Sequence, residues 1–481
     1  MDRIDDLKFI DKGLINKLDK LAVNEIEYWD IRCGLTKGLN LEFTEQLSKQ
    51  ISSHETVDCG IRTFINGGWG FVVVNELTED ALLDGFSQGI KLAKVSERYA
   101  KIKFKLKPVD PLVKNFEIKS KIDTNDLGLE DKIQYIKTKD KEALEYSKKI
   151  KNTLTIYRDV HDYTLFFNSS GSQIYQDLSF LRAFYLVFAQ ENGVLQRSVN
   201  SVGGLGGFEI LKTDYAEHLN TKSAQEAIEL LNAKSPVGGK FTVIMDPKLT
   251  GTFIHEAFGH AVEADIILNK ESILEGRLGE KVAGEDINIL DDPTMGQGKR
   301  YNLPYELFGS YFVDDEGIPS QKTSIIEKGV LKSYLHNLET SSRMDLPING
   351  HGRAMSNISR PQVRMGVTLL EPKDWALEEI IKDTKRGILC EDFQYGYTDP
   401  NSGNFMFKAK FSYKIENGEK KELMRDVALS GMTLEVLNRV TAIGKEISYS
   451  DGICGKGGQS VRVCDGGPYI RVENITVGGL N

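Results

Sequence analysis

At 481 residues the chain is longer than one ordinary hydrophobic core requires, and its length suggests two to four units of roughly 100 to 200 residues. Hydrophobic residues at 40 % and charged residues at 27 % fit a soluble globular protein, and no apolar run approaches the ~18 residues that span a bilayer, so no membrane anchor is expected. A net charge of −9 argues against nucleic acid as a direct partner.

The N-terminus, "MDRIDDLKFIDKGLINKLDKL", alternates acid and base where a signal peptide needs a basic start and an apolar block, which predicts a cytoplasmic protein. In that reducing setting Cys33, Cys59, Cys390, Cys454 and Cys464 are too scattered for a disulfide framework. Each is then either buried filler or chemistry. Further along, Asn66-Gly67 marks a hairpin between strands near 57–65 and 70–75. Thr78 is a candidate N-cap for the helical pattern that follows, and 120–150 reads as charged, amphipathic helices. From Thr153 to Ile210 the pattern returns to strands, broken at 168–171 and 191–193, as a meander would be. The glycine-rich "GGLGGFEIL" at 203–211 lacks the last glycine of a dinucleotide fingerprint, since Glu209 stands there, and reads as a flexible junction. A domain boundary near residue 220 follows, with an N-terminal α+β domain over 1–220 and a C-terminal domain over 221–481.

The second half opens with the strand pattern "GKFTVIMDP" and then "LTGTFIHEAFGHAVEADI". Phe253, Ile254, Ala257, Phe258, Ala261, Val262, Ile266 and Ile267 cover nearly every side of a helical wheel, which predicts a buried helix. Two histidines and two glutamates within nine residues of such a helix need partners, because an unpaired buried polar group costs several kcal/mol. A metal ion would satisfy them. His255 and His260 flank Glu256 as H-E-x-x-x-H, one residue longer than the zinc-peptidase pattern. At ~100° per residue the two rings would point about 140° apart on a regular α-helix, against about 40° for H-E-x-x-H. One wide, π-type turn absorbs the extra residue, so the spacing predicts a widened turn at 257–260 with Gly259 giving the backbone room.

Catalytic zinc takes three protein ligands and leaves one position open. Glu263 or Asp265 could complete the pair of histidines, but Cys454, set between glycines in "SDGICGKGGQS", points to a His₂Cys site. The competing readings there are a Cys454–Cys464 disulfide and a phosphate-cradling turn that lacks the full P-loop pattern. Glu256, beside the first ligand, suits a general base for water that zinc acidifies toward a pKa of about 7.

Several blocks together, "CGIRTFINGGWGFVVVNELT", "GTFIHEAFGHAVEAD", "VDDEGIPSQKTSIIEKGVLKSYL", "GHGRA" with "RPQVRM", and "CGKGGQSVRV" followed by "GGPYIRVENITVGG", resemble the TldD/PmbA family of gyrase modulators and TldD-type metallopeptidases over almost the whole length. The resemblance implies zinc held by His255, His260 and Cys454, with Glu256 catalytic, and Gly455, Lys456 and Gln459 in register with the C-G-K-x-G-Q motif. It implies the catalytic TldD branch, because the sister TldE/PmbA branch lacks the histidine motif. It further implies an α+β fold: an N-terminal α/β-mixed unit, then a C-terminal unit of strongly curved, mostly antiparallel sheet wrapped around a buried metal-bearing helix. A homodimer, or a heterodimer with a TldE/PmbA-type subunit, would enclose a cavity where unfolded or flexible peptides are cut with little sequence preference. A second reading is a non-catalytic zinc-binding partner subunit of such a complex. Val367 stands where the family often has asparagine, which puts any substrate contact by that side chain in doubt. Arg353 and Arg364 either orient substrate or serve as paired structural arginines.

Overall fold

The computed structural model describes residues 10–295 and 305–478, so the opening of the acid-and-base N-terminus lies outside the described residues. α1 (Lys12–Ala22) leads into the hairpins of β1 (Tyr28–Thr44), β2 (Leu47–Ile65) and β3 (Gly68–Val74). The β2–β3 turn holds Asn66 at φ 44° and Gly67 at φ 87°, the positive angles that an Asn-Gly hairpin supplies at low cost. Thr78 caps α2 (Glu79–Tyr99), its hydroxyl accepting from the Ala81 amide at 3.3 Å. This helix lies so close to β3 that a Cβ at Gly70 would sit 2.2 Å from the Gly89 carbonyl.

β4 (Val113–Glu117) precedes α3 (Leu129–Glu145), the one α-helix formed within the charged stretch expected to hold several. β5 (Ile150–Asn168), β6 (Gln173–Glu191) and β7 (Val194–Leu205) then form the meander, turning where the polar and glycine-containing breaks stand. The glycines at 203 and 204 do not form a flexible junction. They continue β7 against Arg182 and Leu181 of β6, and Gly204 also pairs with Leu307 of β10 (Glu306–Leu307). Glycine is needed there because a Cβ at 204 would meet the Tyr305 ring at 2.4 Å. These strands make an eight-stranded sheet, ordered β10-β7-β6-β5-β1-β2-β3 with β4 beside β6. After the short α4 (Asp214–Glu217), α5 (Leu219–Leu231) packs Ala224, Ala227 and Leu231 against Val187 and Ala189 of that sheet.

The second sheet starts with β8 (Gly239–Met245) and runs through short strands β9 (Ile289–Asp291), β11 (Thr323–Glu327), β12 (Val330–Leu331) and β15 (Val367–Leu370). Its long members are β16 (Arg386–Asp399), β17 (Asn404–Glu416), β20 (Val440–Lys456) and β21 (Gln459–Gly478), with β18 (Glu419–Met424) and β19 (Ala428–Met432) between them. β13 (Gly352–Arg353) and β14 (Gln362–Val363) pair separately. Because β8 pairs with both β16 and β21, the strands β8, β16, β17, β19 and β21 close on themselves, mostly antiparallel, which removes exposed edges there. β18 follows the Asn417-Gly418 turn, both residues again at positive φ.

α6 (Pro247–Phe253) follows β8 directly, capped by Asp246 with proline at its first turn. Phe253 meets Phe405 and Phe407 of β17 at ring separations of 5.1 and 6.3 Å. The helix is buried as expected, but it is shorter than the sequence pattern suggests. After a 3₁₀ turn at His260–Val262, Glu263 takes an extended backbone (φ −70°, ψ 117°) and bridges to Leu335 before α7 (Ala264–Leu268). Ile267 is therefore buried from a second helical piece, and the break turns Glu263 inward.

Candidate metal centre

Between α6 and the 3₁₀ turn, Ile254–Gly259 forms a π-helix, and the His260 amide donates to the His255 carbonyl five residues back. The extra residue of H-E-x-x-x-H is absorbed there, as the spacing requires. Both rings come to one side, with centroids 5.4 Å apart at 81°. Gly259 makes this possible, since a Cβ at that position would lie 2.2 Å from the Met365 sulfur.

β20 brings Cys454 to the same point from 194 residues away, its sulfur 3.3 Å from His260 Nε2. One donor atom each from His255, His260 and Cys454 lie within 4.8 Å of one another. Both ring nitrogens of His255 are buried and lack any hydrogen-bond partner, which is costly unless something else engages them. Ligands of one tetrahedral zinc ion stand roughly 3.5 Å apart, given Zn–N near 2.0 Å and Zn–S near 2.3 Å. The donor set, spacing and orphaned imidazole therefore fit a zinc-type ion. Burial opposes ionisation of Cys454, but His255 and His260 outweigh it and hold the thiol down to about 5. Burial likewise disfavours charge on His255, yet the Cys454 sulfur carries the ring up to about 9. The cluster thus holds protons that a cation would displace on binding.

Glu263 and Asp265, the other candidate third ligands, lie outside this donor group. Glu263, 0 % exposed, accepts from His260 Nδ1 at 2.9 Å and so leaves Nε2 facing the cysteine. Burial pushes its carboxyl up, but Lys456 and His260 outweigh that and hold it down to about 2. Lys456 Nζ donates to Glu263 at 3.1 Å, to both Asp265 oxygens at 2.7 and 2.8 Å, and to the Val363 carbonyl at 2.8 Å. One lysine, two residues beyond Cys454, ties the cysteine strand to the histidine segment. This linkage went unread in the sequence, although Glu263 at three residues past His260 is a helical neighbour.

The other motif residues brace the same region. Arg364 donates to the Cys454 carbonyl at 2.6 Å, and Arg353 donates to the carbonyls of Met365 and Arg462 at 2.7 Å each. Both arginines are buried, so the structural alternative describes them. Gln459 bridges the Met355 amide and the Arg360 carbonyl. Val367 is buried among Leu290, Phe308 and Cys464, where no substrate contact is available. Cys464 is free and sits in that apolar cluster, where burial pushes its thiol up.

Glu256 differs from its neighbours in exposure, with 39 % of its side chain accessible and a carboxylate oxygen 3.9 Å from His260 Nε2. Lys248, Thr252 and Glu256, one turn apart, line a cavity of about 300 Å³. Its far wall carries Arg182 and Ser201, both hydrogen-bonded to Asp451.

Family models describe residues 238–479 as a PmbA/TldA metallopeptidase C-terminal domain, 122–234 as the central domain and 29–93 as domain 1. A metalloprotease of Methanocaldococcus jannaschii is 38 % identical, covering 95 % of this chain and 98 % of that protein. A zinc metalloprotease TldD homolog of Saccharolobus solfataricus is 29 % identical over 97 % of this chain and 99 % of its own length. The solved structure of TldE from Thermococcus kodakarensis shares the fold, with a TM-score of 0.71 at 18 % identity over 97 % of this chain and 100 % of that one. No helix among the described residues is long and apolar enough to cross a membrane.

Proposed function

We propose a catalytic role for this chain, which belongs to the PmbA/TldA metallopeptidase family: zinc-dependent endopeptidase cleavage of unfolded or flexible peptides, with His255, His260 and Cys454 holding the ion and Glu256 as general base. The observation that carries the reading is a buried His255 with neither ring nitrogen partnered, facing His260 and Cys454, while the adjacent Glu256 carboxylate opens into a cavity.

Zinc held there supplies Lewis acidity, polarising the scissile carbonyl and making water easier to deprotonate. Glu256 takes the proton of the attacking water on its carboxylate and passes it to the departing amine nitrogen. Glu263 fixes the His260 tautomer by accepting from Nδ1, and Lys456 keeps Glu263 ionised for that task. Arg364 anchors the backbone carbonyl of Cys454.

Substrate is held through its main chain. At 448–456, β20 pairs with β21 on one side only among the described residues, and this open edge borders the Glu256 cavity at Ser450, Asp451 and Gly452. An extended peptide added to it gains main-chain hydrogen bonds that ignore side-chain identity, which gives broad specificity. We expect assembly as a homodimer or with a TldE/PmbA-type subunit, a partner class suggested by the fold shared with TldE, in the cytoplasm that the acid-and-base N-terminus predicts.

The alternative, a non-catalytic zinc-binding subunit, is disfavoured because structural zinc more commonly takes four protein ligands, whereas three converge here beside an accessible glutamate. The test is cleavage of casein and of an unfolded peptide by purified protein, with and without chelator, beside Glu256→Ala. Activity lost on chelation and in the variant is expected; equal activity throughout, or none with zinc bound, refutes the peptidase.

A further inference from the structure

We propose that the open face of β5 and β6 beside the Glu256 cavity is a subsite for an apolar side chain of the peptide substrate. The proposal rests on the peptidase reading and narrows its substrate class. Along β6, Leu181, Ala183, Tyr185, Val187 and Ala189 are buried beneath α3 and α5. The alternate residues Phe180, Phe184, Leu186 and Phe188 are only half-buried on the other face. A sheet with one uncovered face normally presents polar residues there. This one presents aromatic and aliphatic side chains around the Arg158–Arg182 pair, with Val160 of β5 opposite Phe180 and Ile156 opposite Phe184.

That face is hollowed rather than flat. A cavity of about 540 Å³ lies on it, lined also by Phe308, Ile453 and Leu39, within the size range of ligand pockets. Ile453 is 46 % exposed and immediately precedes Cys454. Successive strand residues point to opposite faces, so β20 sends Cys454 to the histidines and Ile453 into the groove. Arg182 and Phe184 line both this groove and the cavity that holds Glu256. The two cavities therefore adjoin across these side chains, and the occupant assigned to the groove is the chain being cut, reaching it from beside Glu256. The groove lining holds no carboxylate and carries Arg158 and His54, while Arg182 is paired with Asp451 at its edge. Leucine or phenylalanine gains burial there, whereas lysine would meet like charge.

The experiment uses three fluorescein-labelled octapeptides of glycine and serine with one central Leu, Ser or Lys, bound to the zinc-loaded Glu256→Gln protein and followed by anisotropy. The Leu peptide is expected to bind roughly tenfold tighter than the Ser peptide or more, with Lys weakest. Phe184→Ser, or the more exposed Ile453→Ser should the first not fold, should erase the difference while zinc content stays unchanged. Equal binding of all three peptides, no binding of any, or a Leu preference kept in both variants overturns the subsite. Light scattering that shows the variants changing oligomeric state while all peptides weaken equally also overturns it, assigning the face to a second subunit. Cleavage by the unsubstituted protein is read separately: a Leu preference in binding without any cleavage would sink the peptidase and leave the groove.

Discussion

Replacing Lys456 by methionine keeps most of the side-chain volume and removes one charge, which isolates the link between Cys454's strand and His260. The lysine makes four contacts of 2.7 to 3.1 Å, three of them to carboxylate oxygens. Without it Glu263 and Asp265 face each other with no cation between them. Breaking a buried pair costs about 3–5 kcal/mol when the remaining group stays charged. Glu263 escapes part of that by taking a proton, and in doing so it weakens as the acceptor for His260 Nδ1. Loss of such an outer partner typically lowers metal affinity by about 10- to 100-fold, or about 1.4 to 2.8 kcal/mol. We expect a zinc affinity loss in that range, measured by competition against a chromophoric chelator. Glu263→Gln should give a similar loss, and the double variant should be no worse than the more damaging single one, because both act through one bond. Unchanged affinity in Lys456→Met, or fully additive losses, would refute the linkage.

Gly259→Ala sets two effects against each other: about 1 kcal/mol gained from helix propensity, and about 1–3 kcal/mol lost by overpacking against Met365, whose sulfur would be 2.2 Å from the new Cβ. A lower thermal midpoint and reduced zinc content are expected, both partly restored by Met365→Ala; a rise in midpoint would show that the π turn tolerates a side chain. Cys454→Ser should abolish zinc binding by elemental analysis, whereas Cys464→Ser should keep it and lose about 1–3 kcal/mol of stability from a hydroxyl in an apolar cluster. Equal zinc loss in both would mean the third ligand is misassigned. Burial, aided by the charges of His351 and Lys107, holds His336 down to about 4. Its folded pKa lies below the unfolded value of about 6.5, so its contribution is complete above that pH and lost as pH falls toward 4, by about 3 kcal/mol in total. Denaturant melts between pH 7.5 and 4 should show a steeper decline than His336→Gln shows; identical slopes would exclude His336 as the cause.

Much of this protein could be read from short stretches. Asn66-Gly67 and Asn417-Gly418 turn where they do because their residues tolerate positive φ, and Thr78 starts a helix because its hydroxyl accepts from an amide three residues on. The five-residue spacing of His255 and His260 demanded a wide turn by geometry alone, and a π-helix stands there. Such signals are complete within one or two turns of backbone. The break at Glu263 was not legible, because the helical wheel counts apolar residues and cannot weigh a carboxylate drawn out of register by a lysine 193 residues away. Nor could local pattern tell that Gly203 and Gly204 would extend β7, since the reason is the Tyr305 ring arriving from a different segment. The sequence by itself determined which side chains could hold an ion and how the helix must distort to aim two of them. Only the tertiary structure decided that Cys454 lies beside the two histidines and that Lys456 ties its strand to Glu263 and Asp265, because both depend on β20 being laid beside the histidine turn through its pairing with β21. Charge pairing and burial across that distance are settled by the whole chain's packing, not by any neighbourhood within it.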